Sequence, residues 1–255
     1  MSNQKVTSTR GGRLLIMCIS LLTLLFLLQK IVCKWKFMTD SETRWTLYRG
    51  KVWRKDGVTV SIKTVGESEF ARFQIHSIRN PKDPRKVLEN WLWVDEYDQV
   101  NVLVYGDDGS EMTKKDSKWI VFEQEKYGFV KGSKSLAPIG GLIEEGHNEC
   151  EVSAAKREVQ EELGMICGLY KVLGKYRSAA NRGGGFVYVI VATECVPISN
   201  HSERINENSD LEIQKKVYLS DDELLKSVIE GRFLEVKWTA AVALTLLEKM
   251  STKQE

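Results

Sequence analysis

The 255 residues include five cysteines and three histidines, and no two cysteines form a C-x-x-C pair. Cys18, Cys33, Cys150, Cys167 and Cys195 are odd in number, so neither a disulfide framework nor a zinc site is expected, and a reducing compartment fits best. His76, His147 and His201 are too scattered for a histidine-rich metal site. A dominant charge is also missing. Against 37 Lys and Arg stand 35 Asp and Glu, a net charge of +2. No global field draws the chain onto nucleic acid, so nucleic acid is not an expected partner and every charge argument is local. There is no internal repeat. What is present, 42% apolar and 28% charged residues, describes a folded protein with enough chain for a large core.

Acidic residues are absent up to Asp40. Within that stretch Leu14 to Leu28 is apolar except for Ser20 and Thr23. As a helix it would reach ~22 Å, short of the ~30 Å hydrocarbon core, unless it continues to Cys33 with Lys30 snorkelling. Trp35 then falls where an interfacial aromatic belongs. Residues 14–33 are therefore expected to be a single-pass membrane anchor, after a basic tail of residues 1–13. An organelle-targeting segment, removed on arrival, is the alternative. Lys30, Lys34, Lys36, Arg44 and Arg49 follow the run, which places the carboxyl-terminal bulk in the cytosol. The sequon at Asn200 would argue the opposite if it were used.

Beyond Trp45, strand-like runs occur at Val58–Ile62, Phe70–Ile75, Trp91–Val94, Val100–Tyr105 and Trp119–Phe122. A helix lies within Cys150–Leu163, then strands near Leu169–Tyr176, Phe186–Ala192 and Val217–Leu219. Helices at Asp221–Glu230 and Lys237–Lys249 close the chain, with Gly231 as a stop. The expected class is α+β, with a linker and small β-rich region over 34–94 and the main domain over 95–250.

The Cys150–Leu163 helix carries the chemistry. Asn148 with Glu151 can cap its start, and Gly164 can end it in the left-handed conformation. Glu158, Glu161 and Glu162 fall within roughly 100° of the helix surface, beside an apolar stripe of Val152, Ala155, Val159 and Leu163. Like charges at these spacings are unfavourable in an isolated helix. Three carboxylates on one arc suit a hard cation such as Mg²⁺; a solvated charged face is the plain alternative. Glu149, seven residues, then Arg157-Glu158-Val159-Gln160-Glu161-Glu162-Leu163-Gly164-Met165 resembles the signature of the Nudix hydrolases. The first half departs from it: seven residues separate Gly141 from Glu149 where the family pattern has five, a loop expansion around Glu144 to Asn148.

That resemblance implies a mixed sheet between helices, an α/β/α sandwich. It implies Glu158, Glu161 and Glu162 as ligands of Mg²⁺ or Mn²⁺, Glu162 also counted as catalytic, and Gly141, Glu149, Arg157 and Gly164 as structural. The reaction implied is attack of water on a nucleoside diphosphate derivative. The succession Asp210-Leu211-Glu212, Val217-Tyr218-Leu219 and Glu223-Leu224-Leu225 looks like the tail of ADP-ribose and ADP-sugar pyrophosphatases. In that branch a loop acid supplies a further ligand or base, here Glu212 or else Asp210. Lys126 sits where the branch presents a cation to the diphosphate, and Arg182 beside Gly183–Gly185 could add another, unless the glycines are only a turn. Trp91 and Trp93 could stack a purine or simply be core. The β-rich region matches one used in that branch for dimerisation, so a homodimer is expected. Alternatives are a dinucleoside polyphosphate or inositol pyrophosphate hydrolase, the latter leaning on Lys126, Lys131 and Lys134, and a membrane-tethered nucleotide sensor without turnover.

Overall fold

The structure is a computed structural model and describes residues 58–106, 117–144, 149–198 and 214–252. The chain divides into two units, Met1–Arg44 and Trp45–Glu255. The first, with the expected anchor at 14–33, lies outside the described residues, as do Asn200, Asp210 and Glu212. Among the described residues no helix is long and apolar enough to cross a membrane.

Among the described residues, ten strands form one mixed sheet: β1 (Thr59–Glu67), β2 (Ala71–Arg79), β3 (Val87–Glu96), β4 (Gln99–Gly106), β5 (Lys118–Gln124), β6 (Ser135–Ala137), β7 (Ile139–Leu142), β8 (Met165–Ala179), β9 (Gly183–Pro197) and β10 (Gln214–Leu219). The path runs β1-β2-β3-β9-β4-β5-β10, with β8 on β9, β7 on β4 and β6 on β5. The parallel pairs are β3–β9 and β4–β9. Helices are α1 (Glu151–Leu163), α2 (Asp221–Ile229) and α3 (Val236–Ser251).

The period of two along β4 builds both halves of the core. Val100, Val102 and Val104 pack with Ile190 and with Ala154, Ala155 and Val159 of α1. Leu103 faces the other way, into a cluster with Leu224 of α2 and Trp238, Ala241 and Val242 of α3. Helices on both faces explain why β4 reads as a continuous apolar run. Each of these fully buried aliphatic side chains is worth about 1.5–3 kcal/mol. The expected sheet between helices is therefore present in the described residues, with β8 and β9 longer than their sequence patterns suggest.

Three expectations are corrected. The N-cap position of α1 is Cys150, which makes no side-chain cap hydrogen bond; the expected cap, Asn148, lies outside the described residues. The buried face of α1 takes Ala154 and Glu158 with Ala155, Val159 and Leu163; Val152 is half-buried. Glu158 lies on that buried face and accepts a hydrogen bond from Arg157 Nη1. Finally, Cys167 and Cys195 form a disulfide. They stand directly opposite in the β8–β9 ladder, a pairing that depends on strand register and leaves no mark in cysteine spacing. Gly164 ends α1 as expected, at φ 66° and ψ 33°.

Candidate active site

The chain between β7 and α1 is organised by one guanidinium. Arg157 donates through Nε and Nη2 to both oxygens of Glu149, each at 3.0 Å, and through Nη2 to the Leu142 carbonyl at 2.8 Å. Its Nη1 reaches Glu158 Oε1 at 2.6 Å and Glu161 Oε2 at 3.2 Å. Glu149 Oε2 also accepts the Glu144 N–H at 2.9 Å. The fork geometry gives Arg157 bidentate hold on Glu149, which raises its pKa well above the ordinary value despite partial burial. The longer loop between Gly141 and Glu149 leaves this tie intact.

Glu158 is 8% exposed. Burial raises its pKa, with Arg157 opposing. Gly141 makes the position possible: a side chain there would overlap the Glu158 carboxylate. Gly140 is equally constrained, since an added Cβ would lie 2.5 Å from the Val100 carbonyl oxygen. Glu161 is exposed and Glu162 half-buried on the adjoining arc.

Beside this helix a cleft of about 290 Å³ opens where β4 and β7 part from β5. Gly141, Glu162 and Lys126 all line it. Arg182 does not line that cleft: it is exposed on the β8–β9 turn, and its carbonyl accepts from Val94 N at 2.8 Å. Gly183, Gly184 and Gly185 all have positive φ there, as a tight strand start needs. Trp93 is buried and stacked on His76 at 5.5 Å. Trp91 donates to the Asn181 carbonyl at 2.8 Å. Gln214, two residues past Glu212, lines the cleft and donates to Gln124 Oε1 at 3.0 Å.

Sequence reasoning missed the far wall, made by Gln99, Asn101, Glu235, Lys237 and Trp238. Lys237 Nζ donates to Gln99 Oε1 at 2.9 Å and pairs with Glu235 at 2.8 Å. The available signal was Asn101, a polar residue inside the apolar run of β4. A larger cavity of about 790 Å³, between Tyr105, Trp119, Lys171 and Lys249, shares no lining residue with this cleft.

Among the described residues no three Asp, Glu, His or Cys side chains already converge on one metal position. The Arg157 guanidinium stands between Glu158 and Glu161, which offsets their repulsion. The donor set nevertheless fits a hard divalent cation, being oxygen-only and cradled against a residue without a Cβ.

A mixed sheet between helices, with a Gly-Gly strand leading into a carboxylate helix, defines the fold class. No protein-family model matches the chain, and no curated protein matches it in sequence. Among solved structures, one titled as the crystal structure of an ADP compounds hydrolase shares the fold with a TM-score of 0.58, at 20% identity over 77% of this chain and 94% of that one.

Proposed function

We propose that this chain is a Nudix-type hydrolase that cleaves the pyrophosphate bond of a nucleoside diphosphate derivative. ADP-ribose or another nucleotide sugar is the favoured substrate, yielding a nucleoside monophosphate and a sugar phosphate. The observation that carries this reading is the locked assembly of Glu149, Arg157 and Glu158 against Gly141, with Glu162 and Lys126 on the adjoining cleft. The fold shared with a hydrolase of ADP compounds supports it.

Glu158, Glu161 and Glu162 would hold Mg²⁺ or Mn²⁺, which supplies phosphate charge neutralisation and a more acidic water. Lys126 meets diphosphate charge from the β5 side. Arg157 positions Glu158 and fixes the loop through Glu149. Glu212, or Asp210, supplies a further ligand or base; the approach of Gln214 to the cleft supports that role. In the reaction a water oxygen bonds to one phosphorus, the bridging P–O bond breaks, and the second phosphate leaves with its sugar. Residues 14–33 anchor the protein in a membrane with the catalytic unit cytosolic, and β1–β3 pair two copies.

The test is product analysis of the purified protein with Mg²⁺ and a panel of ADP-ribose, other nucleotide sugars, dinucleoside polyphosphates and inositol pyrophosphates. AMP and ribose phosphate from ADP-ribose, lost with chelator, is the expected result. Of the three lysines an inositol pyrophosphate would need, only Lys126 lines the cleft. Preferred turnover of either polyphosphate class would replace the substrate assignment, and tight binding without turnover would make the protein a sensor.

A further inference from the structure

Asn101 is 3% exposed, and its Nδ2 makes no hydrogen bond among the described residues. Almost all buried amide donors in folded proteins are paired, because an unmet donor keeps the cost of leaving water. Asn101 also forms part of the cleft wall. Its neighbours Val100 and Val102 face α1, so Asn101 shares the α3 face of β4 with Leu103. That places it across the cleft from the carboxylate helix and on the side of Trp238.

The surrounding groups indicate what this wall receives. Gln99, Glu235 and Lys237 form a linked amide, carboxylate and ammonium, so donors and acceptors are mixed and the charge is balanced. A phosphate here would face the Glu235 carboxylate. A nucleobase would need an open ring face, but Phe122 and Trp238 are 4% and 8% exposed, and Trp238 packs its ring against Phe129. A neutral hydroxyl-bearing ring has no such conflict, since each hydroxyl both donates and accepts.

We propose that Asn101 is a specificity-determining residue whose Nδ2 donates to a hydroxyl oxygen of the sugar joined to the diphosphate, with Gln99, Glu235 and Lys237 completing that sugar subsite. The proposal rests on the hydrolase reading and names the half of the substrate that this wall reads.

The test compares full-length wild type with Asn101→Leu, which replaces the donor by an apolar group of similar size, and Asn101→Asp, which keeps the shape without the donor. Calorimetric binding of ADP-ribose and of AMP is measured with chelator present, and kinetics with ADP-ribose in Mg²⁺. Both variants should weaken ADP-ribose binding and raise KM by about tenfold, the worth of one hydrogen bond. AMP binding should change by less than about twofold, and the thermal midpoint of Asn101→Leu should hold or rise because an unmet donor has been removed. If Asn101→Leu does not fold, the Asp variant alone decides. Equal losses for AMP and ADP-ribose, no loss for either, or a fall in thermal midpoint together with kcat would overturn the assignment. A wild type that binds ADP-ribose but cleaves nothing defeats the hydrolase reading while the Asn101 contrast stands in binding. A wild type that binds neither compound defeats both.

Discussion

At the scale of single residues, charge placement separates those that serve the fold from those that serve the cleft. Glu162 is half-buried and lines the cleft. Glu162→Gln should therefore lower turnover by about a hundredfold or more as a ligand is lost, with the thermal midpoint within a few degrees of wild type. Retention of a tenth of the activity at saturating Mg²⁺ would remove Glu162 from its role. Asp95 on β3 shows the opposite balance. It is 3% exposed, and burial pushes its carboxyl up to about 6, with Arg72 and Arg177 opposing. Because the folded-state pKa lies above the ordinary 3.8, the native state holds the extra proton. Asp95's contribution to stability is then fully present below about pH 4 and is lost as pH rises through about 6, an effect of at most ~3 kcal/mol. Asp95→Asn should stabilise the protein at pH 7 and do little at pH 4, as read by urea unfolding; an equal effect at both would refute the burial argument.

Among elements, β7 and α1 act as a pair because Gly141 lets the Glu158 carboxylate rest against the strand. Gly141→Ala introduces a Cβ into that carboxylate. It should displace Glu158 and reduce activity at least about tenfold at a stability cost of about 1–3 kcal/mol. Activity like wild type in a well-folded Gly141→Ala protein would show that Glu158 need not sit there. The carboxylate arc of α1 was readable from sequence because Glu158, Glu161 and Glu162 stand at helical spacing, while the structural parts of Glu149 and Arg157 were implied by the family resemblance. The cap of α1 was not readable. Cys150, 8% exposed, holds the N-cap position and makes no side-chain cap hydrogen bond. The capping box of α2, where Ser220 and Glu223 exchange hydrogen bonds, was present in the sequence as Ser-x-x-Glu and shows the local rule working.

For the whole molecule, the β1–β3 sheet is patterned in reverse. Arg72, Gln74 and His76 are buried, whereas Phe73 and Leu92 are 44% and 38% exposed. An apolar face of this kind asks for a cover, and the expected homodimer would supply one. Sedimentation should find a dimer, and Phe73→Asp should yield a folded monomer; a monomeric wild type would end that expectation. The proposed anchor is tested by washing membranes with alkaline carbonate. Full-length protein should remain bound and a chain beginning at Asp40 should be released and active, while release of the full-length protein would favour a cleaved targeting segment.

Sequence alone carried the carboxylate arc of α1, the strand-rich order of elements and the Gly164 stop. Each of these follows from residue type at short separation, where helical and strand periods act directly. Tertiary structure alone decided the rest. Cys167 and Cys195 meet across a ladder 28 residues apart in sequence, and Lys237 meets Gln99 across 138. Asn101 gained its place in the cleft wall only when the first half of β4 paired with β7, Asn101 opposite Gly140. Contacts between distant segments depend on register and packing, and no local pattern encodes which side chains those bring together.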